Sequence, residues 1–138
     1  MIRIAPIVLF VLSSIVHAQI VADRNEEIFF CRNKKKDVEV VRLSNTSSAT
    51  VHLNLSMGWQ DGFSGKINGC MVIYPTTCSV NLQPGEQIDV DLRVRDILIG
   101  GEQYGGIIVT SVDPSTGKTN NELDISLGAS DFGGCWEP

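Results

Sequence analysis

Few residues of this chain have the type and spacing for catalysis or metal binding. Of two histidines, His17 lies in an N-terminal leader-like stretch and His52 alternates with apolar neighbours, on the polar side of a strand pattern. A Ser-His-Asp or Cys-His arrangement needs an imidazole held beside a nucleophile, and no local pattern supplies one. One histidine is also too few for a multi-histidine zinc or copper centre. Gly117-Lys118-Thr119 imitates the end of a phosphate-binding loop. However, the first glycine of that motif would fall at Val112, and the segment joins two strand patterns where a phosphate loop opens a helix. Asp23, Asn25 and Glu27 alternate like calcium ligands, but Ile28 stands where an EF-hand loop requires glycine. Asp89 and Asp91 lie about 7 Å apart on one strand face. A glycosidase pair must flank bound sugar; these carboxylates read as a soluble face. The chain is therefore expected to be no enzyme and to carry no cofactor and no metal.

The four cysteines, Cys31, Cys70, Cys78 and Cys135, are the other reactive side chains. No Cys-x-x-Cys pair occurs, which disfavours zinc. An even count behind an export signal reads as disulfides, and four cysteines allow three connectivities. The favoured set is Cys31–Cys135 with Cys70–Cys78, the first tying an early strand to the tail and the second spanning a Pro-containing turn. Loop entropy assigns about 5 kcal/mol to the long link and about 2.5 kcal/mol to the short one.

The export signal is residues 1–18: Arg3 supplies the positive start, Ile7 to Ile15 the apolar run, and Val16-His17-Ala18 the cleavage pattern. The apolar run falls short of the roughly 20 residues needed to span a bilayer. The expected mature chain, residues 19–138, is enough for one domain. Arg3 is the leader's only charged residue, so the remainder has ten basic against 16 acidic side chains, a net charge of −6. Such a domain has little drive toward nucleic acid or anionic lipid. Its one basic cluster, Arg32-Asn33-Lys34-Lys35-Lys36, reads as a solvated hairpin tip.

The elements that must position any site are strands. Period-two stretches run Glu26–Cys31, Asp37–Leu43, Ala49–Met57, Cys70–Tyr74, Cys78–Leu82, Gln87–Val94, Tyr104–Val112 and Leu123–Leu127, separated by turn residues such as Gln83-Pro84-Gly85-Glu86. No window sustains a helical period. The prediction is all-β: a single immunoglobulin-like antiparallel β-sandwich of about seven or eight strands.

The order of signals adds a resemblance. Asn45 closing the second strand, Leu82-x-Pro84-Gly85-Glu86, the alternation from Ile88 to Val94, Tyr104-Gly105-Gly106-Ile107-Ile108-Val109 and Ser111-x-Asp113-Pro114 occur in sequence. This order resembles the immunoglobulin-like sandwiches of the PapD, major-sperm-protein and ASH type over residues 37 to 128. The resemblance implies a binding or assembly module, with some members of the group acting as periplasmic pilus chaperones. The chain departs from those chaperones in having one domain, and in lacking a recognisable Arg–Lys pair for a subunit's carboxylate.

The stretch Gly58 to Gly69 reads as a loop, and its part from Gly58 to Lys66, carrying Trp59, Gln60, Asp61 and Phe63, is the strongest candidate contact region. Aromatics on a Gly-rich loop either fold back as a lid on the sandwich end or present a surface to a partner; Trp136 faces the same choice. The expected function is an exported, non-enzymatic module acting by protein–protein contact or self-assembly in a periplasmic or cell-surface assembly. The alternative is a carbohydrate-binding module that stacks a glycan on Trp59 and Phe63. Asn45-Thr46-Ser47 and Asn54-Leu55-Ser56 match the N-glycosylation pattern, whose use depends on the host.

Overall fold

A computed structural model describes residues 19–31, 38–58, 62–95, 102–113 and 116–130. The described residues form ten strands and no helix, and so contain no helix long and apolar enough to cross a membrane. In chain order they are β1 (Ile20–Ala22), β2 (Ile28–Cys31), β3 (Val38–Asn45), β4 (Val51–Met57), β5 (Phe63–Ile67), β6 (Cys70–Val72), β7 (Thr77–Leu82), β8 (Gln87–Val94), β9 (Glu102–Val112) and β10 (Thr119–Ser130). One sheet runs β1-β3-β8-β5-β6 and the other β2-β10-β9-β4-β7.

Alternation sets which side chains meet between the sheets. In β4, Val51, Leu53, Leu55 and Met57 are buried while His52, Asn54 and Ser56 stay half-buried on the outer face. Val41, Leu43, Val90 and Leu92 answer them from the other sheet. The result is one continuous core, as expected of an immunoglobulin-like sandwich.

Four local readings need correction. The stretch read as the loop Gly58 to Gly69 contains β5, which pairs with both β8 and β6. Its inward positions are Phe63, Gly65 and Ile67, and the glycine broke the apolar alternation. That position is small because the side chains of Leu92, Ile107 and Met57 would stand 3.5–3.6 Å from any Cβ there. A second signal was present: Asn68 and Gly69 (φ 50° and 81°) form a two-residue turn that pairs Ile67 with Cys70, as an Asn-Gly hairpin should. Secondly, β1 was missed because three residues are too few to show a period. Thirdly, β2 and β3 belong to different sheets and do not pair with each other; the Arg32–Lys36 cluster, read as a hairpin tip, lies outside the described residues. Fourthly, β2 runs parallel to β10 (Ile28 opposite Leu127 through Cys31 opposite Ser130), whereas every other pair is antiparallel.

One side of the sandwich is closed covalently. Cys70 and Cys78 form a disulfide with Cα atoms 6.1 Å apart. It joins β6, the edge of one sheet, to β7, the edge of the other. Cys31 is also disulfide-bonded; the expected partner, Cys135, lies outside the described residues, as do residues 1–18.

Candidate functional site: the open seam beside β10

On the opposite side the first strand pair changes sheets. The chain leaves β1 at the edge of one sheet, crosses through residues 23–27, and enters the other sheet as β2. Because β2 has only four residues, it covers β10 from Leu127 to Ser130 alone. From Thr119 to Ser126, β10 has β9 on one flank and, among the described residues, no strand on the other. A cleft of about 380 Å³ opens there. Ile20, Val21, Leu123 and Ile125 supply its apolar lining, and Glu26, Glu27 and Asp124 its acidic rim.

Polar bonds fix the walls of this seam. Glu39 is buried on the inward register of β3, where an unpaired carboxylate would be costly. Arg24, from the crossing segment, donates to it through Nη1 at 2.5 Å. Glu122 sits at the β-bulge between Asn121 and Leu123. It accepts from Ser111 Oγ at 2.6 Å and from the Gln19 backbone N–H at 3.0 Å, which ties the start of β1 to β10. Asp23 accepts from the Arg42 N–H at 2.9 Å and so anchors the other end of β1. The seam therefore has fixed sides and, among the described residues, a strand edge without a partner along its length.

The sequence-derived candidates fall elsewhere. Trp59, Gln60, Asp61, Cys135 and Trp136 lie outside the described residues. Phe63 does not belong to a contact loop: it is 1% exposed in β5, its ring 5.9 Å from that of Phe30. The reason is its inward register, and Gly105 opposite leaves room, since a Cβ there would stand 3.0 Å from the Phe63 ring. Phe63 thus gives no stacking platform for a sugar. His52 meets Asn81 Oδ1 through Nδ1 at 2.6 Å on the outer face of β4. Arg42 Nε donates to Asp89 at 2.9 Å on the exposed face of β8, and that bond and charge raise the arginine's pKa. Asp23, Asn25 and Glu27 hold no calcium-like cluster; no group of three or more metal-ligating side chains gathers among the described residues. The Gly117-Lys118 segment is a turn, with Gly117 at φ 74° donating its N–H to the Asp113 carbonyl at 2.7 Å.

Sequence reasoning missed the seam residues Arg24, Glu39 and Glu122. An acidic residue at an inward strand position was the available signal for Glu39.

A second surface lies on the outer face of the β2-β10-β9 sheet. Phe29 and Tyr104, 43% and 49% exposed, stand on either side of Gly128, and both rings would press on a Cβ at that glycine. The Tyr104 hydroxyl donates to Glu102 at 2.8 Å. That hydrogen bond, then the charge of Glu102, raises the phenol's pKa above its ordinary value. Tyrosinate absorbance followed with pH should show Tyr104 titrating late, and Glu102→Gln should bring it back down. The sign follows from a proton held more tightly in the folded state: this contribution to stability is complete below the unfolded tyrosine's pKa and is lost as pH rises through the folded value.

No protein-family model matches the chain, and no curated protein matches it in sequence. Solved structures do match it in shape. The YadV chaperone aligns with a TM-score of 0.62 at 14% identity, over 87% of this chain and 55% of that one. A chain of the Salmonella enterica SafA pilin–SafB chaperone complex aligns at 0.60 and 11%, over 87% of this chain and 58% of that one. The ASH/PapD-like domain 7 of human CEP192 aligns at 0.52 and 13%, over 83% of this chain and 86% of that domain. The chain thus spans little more than half the length of the chaperone chains, but most of the single human domain. At these identities the likeness speaks to architecture, and with strand order, core and turns already in place it supports one statement: this chain has a PapD-like immunoglobulin-like fold.

Proposed function

We propose that this chain is an exported, non-enzymatic module that works by protein–protein contact in a periplasmic or cell-surface assembly, using the open seam as its contact site. The observation that carries this reading is the flank of β10 from Thr119 to Ser126, which has no partner strand among the described residues, beside an apolar-lined cleft. Unpaired backbone N–H and C=O groups on a strand edge are a template for an extended segment of another chain, and alternate side chains of that segment would enter the cleft. The acidic rim favours a partner segment with basic residues beside its apolar ones.

Export is supported by the leader pattern of residues 1–18 and by the disulfides, which persist in oxidising compartments. Among the structural neighbours, a chaperone is found with a pilin in one complex and with a tip adhesion subunit in another. A pilus-related assembly is accordingly the setting we favour.

The test is site-specific photocrosslinking in the native cell envelope, with the crosslinker at Val21 or Ser126 in the seam and at Arg93 on the outer face of β8. A discrete adduct at the two seam positions and none at Arg93 is expected. Amide exchange of residues 119–126 should then slow in the isolated complex. Equal labelling at all three positions, or unchanged exchange along β10, would overturn the assignment.

A further inference from the structure

The outer face of the β2-β10-β9 sheet sets two exposed aromatic rings beside two carboxylates. We infer that this face binds a cationic side chain, an arginine of a partner polypeptide, seated over Gly128 between Phe29 and Tyr104. The site rests on the protein-contact reading but not on the seam, because it uses a different face of the molecule.

Phe29, Gly128 and Tyr104 stand opposite one another on three neighbouring strands. Ile28, Phe30, Leu127 and Ala129 are buried in the core, and Gly105 lies against Phe63, so alternation turns all three positions outward. The glycine leaves a slot between the rings. A Cβ there would stand 2.9 Å from Phe29 Cδ2 and 3.2 Å from Tyr104 Cδ1, so each ring meets Gly128 through its edge. The next pair along the strands, Ser126 and Gly106, is small as well. A planar group laid over Gly128 therefore finds a low floor and a ring on each side.

Charge selects what that group is. The electron-rich face of an aromatic ring attracts a cation within roughly 6 Å of its centre. β2, β9 and β10 contain no lysine, arginine or histidine, so none of these three strands supplies that cation. The nearby acids add to the attraction. Glu102 accepts from the Tyr104 hydroxyl at 2.8 Å, and Glu27, just before β2, is near enough for its charge to act on the same phenol. Both carboxylates belong to exposed residues.

Guanidinium suits this site better than ammonium. It is planar and weakly hydrated, and it can stack on a ring while donating to a carboxylate. A slot walled by two rings with Glu102 at its rim offers both contacts at once. A neutral apolar group would fill the slot without using either acid.

The experiment titrates the full mature chain, residues 19–138, with acetyl-Gly-Arg-Gly-amide and separately with the same peptide carrying citrulline, an uncharged isostere of arginine. Amide and aromatic NMR resonances report where each peptide binds. The arginine peptide should shift Phe29, Gly128 and Tyr104 to saturation, and the citrulline peptide should bind several-fold more weakly. Tyr104→Leu keeps an apolar side chain but removes the ring, and should weaken arginine binding several-fold. Glu102→Gln keeps both rings, so it tests the charge even where a ring variant fails to fold; it should weaken the arginine response and leave the citrulline response unchanged. Equal responses to the two peptides, shifts that avoid Gly128, or arginine binding indifferent to both variants would each overturn the inference. Crosslinking reads the seam separately, so either assignment can fail without the other.

Discussion

Replacing Phe63 with alanine should cost about 3–5 kcal/mol of folding stability, the range for emptying a buried aromatic site. Phe63 lies in β5 at 1% exposure, against the tilted ring of Phe30 and over Gly105. None of these neighbours can close the gap easily: Phe30 is held in β2, and Gly105 has no side chain to move. Urea unfolding should show a much lower midpoint with little change in slope, because the surface exposed on unfolding is nearly the same. The same variant separates two accounts of this residue. A contact residue on a loop would lose partner binding at unchanged stability, whereas a core residue loses stability first. A wild-type midpoint for Phe63→Ala would remove the residue from the core and reopen the loop reading.

That contrast marks where the chain is legible by eye. Gln87 to Val94 alternates without a break, is flanked by Pro84-Gly85, and was read correctly to the residue. Gly85, at φ 80°, follows Pro84 in the turn read there, a position that glycine fills without steric cost. Around Phe63 the period was present too, but Gly65 stood in the place of an apolar residue. A small residue can be a core residue when its neighbours fill the volume, and periodicity of hydrophobicity is blind to that case. β10 shows the same limit. Its readable part was Leu123 to Leu127, yet the strand continues to Ser130 through Gly128 and Ala129, which are buried but small.

Strand order was the least accessible feature. A parallel partner for β10 had to come from residues about a hundred positions earlier, and the sheet switch between β1 and β2 runs through five charged or polar residues, Asp23 to Glu27, that carry no period. The seam is the product of this switch. Its floor is shared between β1 and β10, so no single window of sequence contains it. By contrast, the Cys70–Cys78 link was readable because it is local and spans a turn. The two sides of the sandwich thus differ in kind: one is held by a covalent bond between sheet edges, the other by the Arg24–Glu39 ion pair, side-chain hydrogen bonds and a strand too short to cover its neighbour. Among the described residues, that second side is where the Thr119–Ser126 flank of β10 has no partner strand.

Asn45→Ala should destabilise the fold by about 3 kcal/mol, far more than the loss of an exposed amide. Its side chain, 1% exposed, donates through Nδ2 to the carbonyls of Ala49 at 2.8 Å and Leu82 at 3.0 Å. Its Oδ1 accepts from the Ser47 backbone N–H at 2.9 Å and the Ser47 hydroxyl at 2.7 Å. Leu82 ends β7 in one sheet and Asn45 ends β3 in the other, so this amide is a polar latch between the sheets. Its backbone holds the Pro84-Gly85 turn as well, through the Gly85 N–H at 2.9 Å. Alanine would leave the Leu82 carbonyl buried without its side-chain donor, and each unsatisfied buried group costs about 1–3 kcal/mol. Asn45→Asp tests the direction of the bonds: it keeps the acceptor for Ser47, loses both donations, and buries a charge, so it should be at least as damaging as alanine. A thermal or urea midpoint for Asn45→Ala close to wild type would show that the latch carries no weight. The same geometry fixes the fate of the Asn45-Thr46-Ser47 sequon. A glycan on Nδ2 leaves that nitrogen one hydrogen and would have to displace its bond to Ala49 or to Leu82, so intact mass of the folded protein from a glycosylating host should show no sugar at Asn45.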